Sequence, residues 1–196
     1  MDLPDKKTRI IQAAIKVFAK SGLEKGKIAD VALEAGIGKG TVYEYFSSKD
    51  AIFEAIENFI FSDITREFES LKSSAFSPPE KIRTIITLSL DFSMEMGDAI
   101  LVLTELAAKA SRGQFYGHTP SDAFEKYKTY KNEIELILED GIQSNDFRHM
   151  NTEGVATLLM AFLDGMALQI AYMKNYDIFT NIKQEAMESF MRGIEK

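Results

Sequence analysis

The chain has 196 residues, no cysteine and a formal net charge of −7; this length suits one or two compact domains with a sizeable core. Without cysteine, neither disulfides nor thiolate metal sites are available, and no basic stretch followed by an apolar run opens the sequence, so no secretory signal is expected. The longest apolar stretch, 155–173, is broken by Asp164, Gly165 and Gln169, which argues against a membrane span and for a soluble, cytoplasmic protein.

Ile10, Ala13, Ala14, Val17 and Phe18 recur at i, i+3, i+4, i+7 and i+8, one apolar stripe of an amphipathic helix that Gly22 is expected to end. Residues 28–46 then read IADVALEAGIGKGTVYEYF. Ala29, Val31, Ala32 and Ala35 give a short helix with small side chains that a second helix can cross closely. Gly36 follows where the chain must leave the helix, since glycine reaches positive φ without a Cβ penalty. Gly38 stands at the N-cap position, and Lys39, Gly40 and Thr41 open a second short helix. Val42 and Phe46, four apart, face inward, while Tyr43 and Tyr45 present hydroxyls outward. This is the layout of a helix-turn-helix, whose second helix enters the DNA major groove.

Taken alone, such a pair is equally a fragment of a helical bundle; the flanks favour the DNA-reading alternative. Ser47-Ser48-Lys49-Asp50 is an N-terminal cap with an anion in the first turn, and a long helix is predicted over 49–71. Residues 1–50 carry nine Lys/Arg against seven Asp/Glu, whereas the remainder carries 14 against 23. A basic head and an acidic body direct the head toward phosphates.

The run from Thr8 to Ile60 closely resembles the N-terminal domain of TetR-family bacterial transcription regulators. The resemblance rests on Ile11, Ala14, Phe18, Gly22, Asp30-Val31-Ala32, Ala35-Gly36-Ile37, Lys39-Gly40-Thr41-Val42-Tyr43, Tyr45-Phe46 and Lys49. The family pattern is departed from in two places. Gly26 and Lys27 stand where a hydroxyl residue often precedes the first motif helix, and Gly38 stands where serine or alanine is usual. Lys27 is expected to supply the missing phosphate contact. The resemblance implies that Lys39, Gly40, Thr41 and Tyr45 face base edges or the groove floor, and that Tyr43 and Lys49 hold phosphates.

Beyond the head only helices are predicted. Ser77-Pro78-Pro79-Glu80 combines an N-cap serine, proline at the first helical position and an acid three residues on, starting a helix to about Glu95. A helix over 98–110 follows. Thr119-Pro120-Ser121-Asp122 repeats the start signal and opens a long helix to about Ser144; Asn151 caps another to about Met173, and a last covers 178–194. The expected fold is therefore all-α, about nine helices. Residues 1–48 form a three-helix DNA-binding domain (motif 28–47), helix 49–71 is the connector, and 49–196 form an effector-binding and dimerisation body.

Thr157, Ala161 and Gly165 recur every four residues as a ridge of small side chains, and Met187, Phe190, Met191 and Ile194 form an apolar stripe. Each is either core or assembly surface by pattern alone; the resemblance favours pairing with a second copy, and reading a pseudo-palindromic operator calls for a two-fold dimer. The resemblance also implies an effector cavity in the body, for which the candidates are Phe92, Met96, Glu105, Phe115, Tyr127, Tyr130, Phe162, Asp164 and Gln169. The stretch 137–148 (ILEDGIQSNDFR) looks similar to family members that respond to fatty acyl-thioesters; a multidrug-type ligand is the alternative. His118 and His149 have no second ligand nearby, so no metal is expected, no cofactor is implied, and no Ser-His-Asp or Cys-His set suggests catalysis. The expectation is a ligand-responsive transcriptional regulator acting as a repressor. An effector-independent architectural DNA-binding protein, or a helical carrier or enzyme for apolar ligands, are the rival readings.

Overall fold

A computed structural model describes residues 5–113, 121–174 and 176–196. Nine α-helices and no strand occur among them: α1 (Lys6–Lys25), α2 (Ile28–Ala35), α3 (Lys39–Tyr45), α4 (Lys49–Lys72), α5 (Pro78–Glu95), α6 (Gly97–Ser111), α7 (Ser121–Gln143), α8 (Thr152–Met173) and α9 (Tyr176–Ile194). Thr119 and Pro120, read as the start signal of α7, lie outside the described residues.

The helix boundaries follow local chemistry. The Asp5 carboxylate accepts from Thr8 N–H at 2.9 Å at the start of α1, Ser48 Oγ accepts from Ala51 N–H at 3.1 Å in α4, and Asn151 Oδ1 accepts from Gly154 N–H at 3.0 Å in α8. These contacts satisfy amides that a helix leaves without an internal partner. At α5, Ser77 N–H and Oγ–H both donate to Glu80 Oε2, each at 2.7 Å. Gly36 closes α2 with φ 66° and ψ 37°, the left-handed conformation expected of it.

The chain divides into two compact units, Met1–Ile64 with Asp98–Ala123, and Thr65–Gly97 with Phe124–Lys196. The division falls inside α4 and assigns α6 to the head, rather than falling at 48/49. The reason is burial: Ile52, Phe53, Ile56 and Ile60 of α4 are all buried, and Phe53 meets Phe18 of α1 edge-to-face at 5.0 Å.

In the second unit, Ile82, Ile86 and Leu90 of α5, Ile134 and Leu138 of α7, Leu159 and Ile170 of α8, and Met191 and Ile194 of α9 share one core. Phe147 packs over Gly141, where an added Cβ would lie 2.1 Å from the ring. The α9 end is fastened beside it: Arg148 N–H donates to Ile194 O at 2.9 Å, and Arg83 of α5 pairs with Glu188 at 2.5 Å and Glu195 at 3.1 Å. Helix α8 is long and apolar enough to cross a bilayer by length and composition, with a mean hydropathy of 1.6, yet Ala156, Leu159, Leu163, Met166 and Ile170 bury one face of it in the core.

Candidate nucleic-acid interface

Helix α3 is short, and its stability comes from burial rather than propensity. Val42 is fully buried and Phe46 nearly so, while Lys39, Gly40, Tyr43, Glu44 and Tyr45 are exposed and Thr41 is half-buried. The side chains read as facing DNA thus share the open side of a helix anchored from below. Lys39 Nζ lies 5.8 Å from the Tyr43 ring centroid, a cation–π contact that keeps the charge on this surface. Nothing lies within 4 Å of a Cβ built on Gly40 or Gly38, so neither glycine is required by the head's own packing. Gly38 caps α3 with no side-chain hydrogen bond, and Lys27, also exposed, does the same for α2; neither helix start has a side-chain cap.

Lys49 is placed differently from the phosphate contact expected of it. Its ammonium donates to Glu24 O at 3.1 Å and sits 5.5 and 5.8 Å from the Phe18 and Phe53 ring centroids. Carbonyls at a helix end attract cations, and aromatic faces add to that attraction. Burial lowers the Lys49 pKa from the ordinary lysine value, with Glu24 opposing the shift. The residue fastens α4 to the end of α1.

The residues expected around an effector are dispersed. Glu105 belongs to the first unit, where its Oε2 accepts from Leu23 N–H at 3.0 Å; it faces α1 rather than a body cavity. Phe115 lies outside the described residues. Tyr130 is buried, shares a 2.8 Å hydrogen bond with Thr65 Oγ1 and stacks on Phe68 at 5.0 Å, so ring and hydroxyl are both spent on structure. Phe162 stacks with Phe190 at 6.4 Å. Phe92 and Met96 are half-buried near the end of α5, and Gln169 is exposed.

Tyr127 and Asp164 are brought together: the hydroxyl donates to Asp164 Oδ2 at 2.8 Å. Desolvation, then the carboxylate itself, pushes the Tyr127 hydroxyl far above its ordinary range. Desolvation also raises Asp164, partly offset by the tyrosine's hydrogen bond. No cluster of three or more His, Asp or Glu side chains with metal-binding geometry occurs among the described residues.

The assembly residues divide. Thr157 and Ala161 are exposed, and a Cβ on Gly165 would meet nothing within 4 Å, so that ridge is available to a partner. Met187, Met191 and Ile194 instead lie in the protomer's own core, with Phe190 packed against it. Three of the four residues of the α9 stripe are therefore part of the protomer's own core. The open face of α9 carries Ile178 and Ile182, and that of α8 carries Leu158, Tyr172 and Met173. Sequence reading passed over them because apolar side chains spread around most of α8 and give little contrast between its faces; Ile178 and Ile182, four apart, were the available signal on α9.

Comparison with known proteins agrees with this architecture. Residues 10–56 match the family described as bacterial regulatory proteins, tetR family, and 105–196 match the QacR-like protein, C-terminal region. The fatty acid metabolism regulator protein of Bacillus subtilis is 31% identical over 142 residues, covering 71% of this chain and 70% of that protein. The fatty acid degradation regulator FadR from Bacillus halodurans has a similar fold, with a TM-score of 0.75 at 21% identity over 97% of each chain. FadR from Bacillus subtilis, solved in complex with stearoyl-CoA, has a TM-score of 0.63 at 22% identity, covering 96% of this chain and 99% of that one. With its anchored, outward-facing α3 and its helical body, this chain belongs to the TetR family of bacterial transcription regulators and is a ligand-responsive, DNA-binding protein.

Proposed function

We propose that the protein is a homodimeric repressor that leaves a pseudo-palindromic operator when its body binds a long-chain fatty acyl-thioester. The carrying observation is α3, held by buried Val42 and Phe46 with an open face of Lys39, Gly40, Thr41 and Tyr45. In this reading those four residues meet base edges or the groove floor, and the Thr41 methyl suits a thymine methyl. Tyr43 and Lys27 hold phosphates that set the register. Two copies pair through the open faces of α8 and α9, around Thr157, Leu158, Ala161, Gly165, Ile178 and Ile182. The dimer then reads half-sites roughly 34–36 Å apart.

Helix α4 runs from the first unit into the second, which makes it the natural route for a signal. An effector releases the operator only by binding more tightly to the conformation in which both heads no longer fit. The acyl-thioester is supported by the 31% identity to a fatty acid metabolism regulator. A cationic, multidrug-type ligand is the second reading, favoured by Asp164, an acidic side chain among the apolar residues of α8 that a cation would pair with.

Footprinting on the DNA upstream of its own gene, repeated with stearoyl-CoA and with a cationic dye, tests the reading. Protection lost on adding stearoyl-CoA supports it. Protection lost only with the dye supports the second reading, and protection that survives both supports an architectural role without an effector.

A further inference from the structure

One network in the first unit serves neither the base-reading face nor the body. Helix α1 is interrupted at Gly22, whose φ of 75° and ψ of 159° lie in a region open essentially to glycine alone. The interruption falls directly before the amide of Leu23, whose side chain is itself buried. Glu105, 82 positions later on α6, supplies the acceptor at 3.0 Å. Two more contacts converge on the next residue: Lys109 of α6 pairs with the Glu24 carboxylate, and Lys49 of α4 donates to Glu24 O at 3.1 Å. Gly26 then bonds back to Gly22 O at 3.1 Å, and α2 begins two residues on. Helices α1, α4 and α6 therefore meet at 22–24, immediately ahead of the helix-turn-helix.

We propose that Glu105 is a positioning residue for DNA reading: its carboxylate holds the Gly22 break of α1 on α6 and thereby fixes where α3 is presented. The inference rests on α3 being the reading helix. A backbone amide that must find an acceptor is a stricter constraint than apolar contact, because hydrogen bonds weaken steeply with angle whereas apolar surfaces slide. Lys109 adds attraction at the same point without that directionality.

The absence of native cysteine permits a direct test in the full-length protein. Spin labels are placed at Glu44→Cys on α3 and Ala107→Cys on α6, both exposed positions, with labelled protein diluted into unlabelled. The native background is expected to give one narrow distance distribution. Glu105→Ala should at least double its width, and Glu105→Gln, which keeps an acceptor, should restore it. Glu105→Leu fills the space without an acceptor and reports the same broadening if the alanine variant does not fold. A distribution as narrow as native in the alanine and leucine variants overturns the proposal, as does a glutamine variant as broad as they are. In a second arm, affinity for an upstream duplex that the native chain binds should fall at least about tenfold in Glu105→Ala, the scale of one or two lost base contacts, and return in Glu105→Gln. Unchanged affinity overturns the role in reading. If the native chain binds no such duplex, the DNA-reading assignment falls, while the distances still decide whether Glu105 positions α3.

Discussion

Gly40→Ala separates folding from DNA reading, because the two effects have opposite signs. Gly40 is the second residue of α3, is exposed, and a Cβ built there meets nothing within 4 Å. Alanine therefore introduces no clash, and its advantage over glycine in helices, about 0.5–1 kcal/mol, raises the stability of the head. For a chain of this size that corresponds to a melting temperature higher by about 1–4 °C. On DNA the same methyl group stands between the backbone and the groove floor. Forcing an extra carbon into a fitted contact costs about 1–3 kcal/mol, which is roughly a 5- to 150-fold weaker Kd. Thermal unfolding by circular dichroism and fluorescence anisotropy on an operator duplex measure the two quantities in one preparation. A variant that is more stable and binds as tightly as native would refute the placement of Gly40 against DNA. A variant that is less stable would refute the description of its surroundings.

Gly26→Ala is expected to act in the opposite way: the new Cβ would lie 2.5 Å from Phe18 Cδ1, inside a packed core, so stability falls by about 1–3 kcal/mol in chemical denaturation although φ of −60° suits alanine. Met191→Ala, at a side chain with no exposure in the protomer, should cost about 2–5 kcal/mol. Leu158→Lys, at a site 60% exposed, should leave helical content intact and yield monomers in sedimentation; a dimer that survives it argues against the α8 face. The Ser77 hydroxyl, then its amide, hold the Glu80 carboxyl below its ordinary pKa of 4.5. A depressed folded-state pKa stabilises at pH above the unfolded value and is lost as pH falls through the folded one. Glu80→Gln should therefore flatten the loss of stability below pH 4.5, read from denaturation midpoints at stepped pH.

Much of the fold was legible because its signals act within a few residues. The left-handed exit at Gly36, the caps at Ser48 and Asn151 and the Ser77–Glu80 pair are each specified by neighbours no more than four positions away. The outward and inward sides of α3 followed from the four-residue spacing of Val42 and Phe46 in the same way. Lys49 and Glu105 were misplaced because their partners, Glu24 and Leu23, lie 25 and 82 residues away, and no local pattern carries such pairings.

The sequence by itself determined that this is an all-helical DNA-binding protein, since helical periodicity, capping chemistry and the helix-turn-helix spacing are properties of short windows. Only the tertiary structure decided which apolar stripe a partner can reach. Met187, Met191 and Ile194 repeat as regularly as any interface would, yet they close the protomer's core and leave Ile178 and Ile182 outside. Periodicity marks a face of a helix, whereas the neighbours packed around that helix settle whether the face meets its own chain or another.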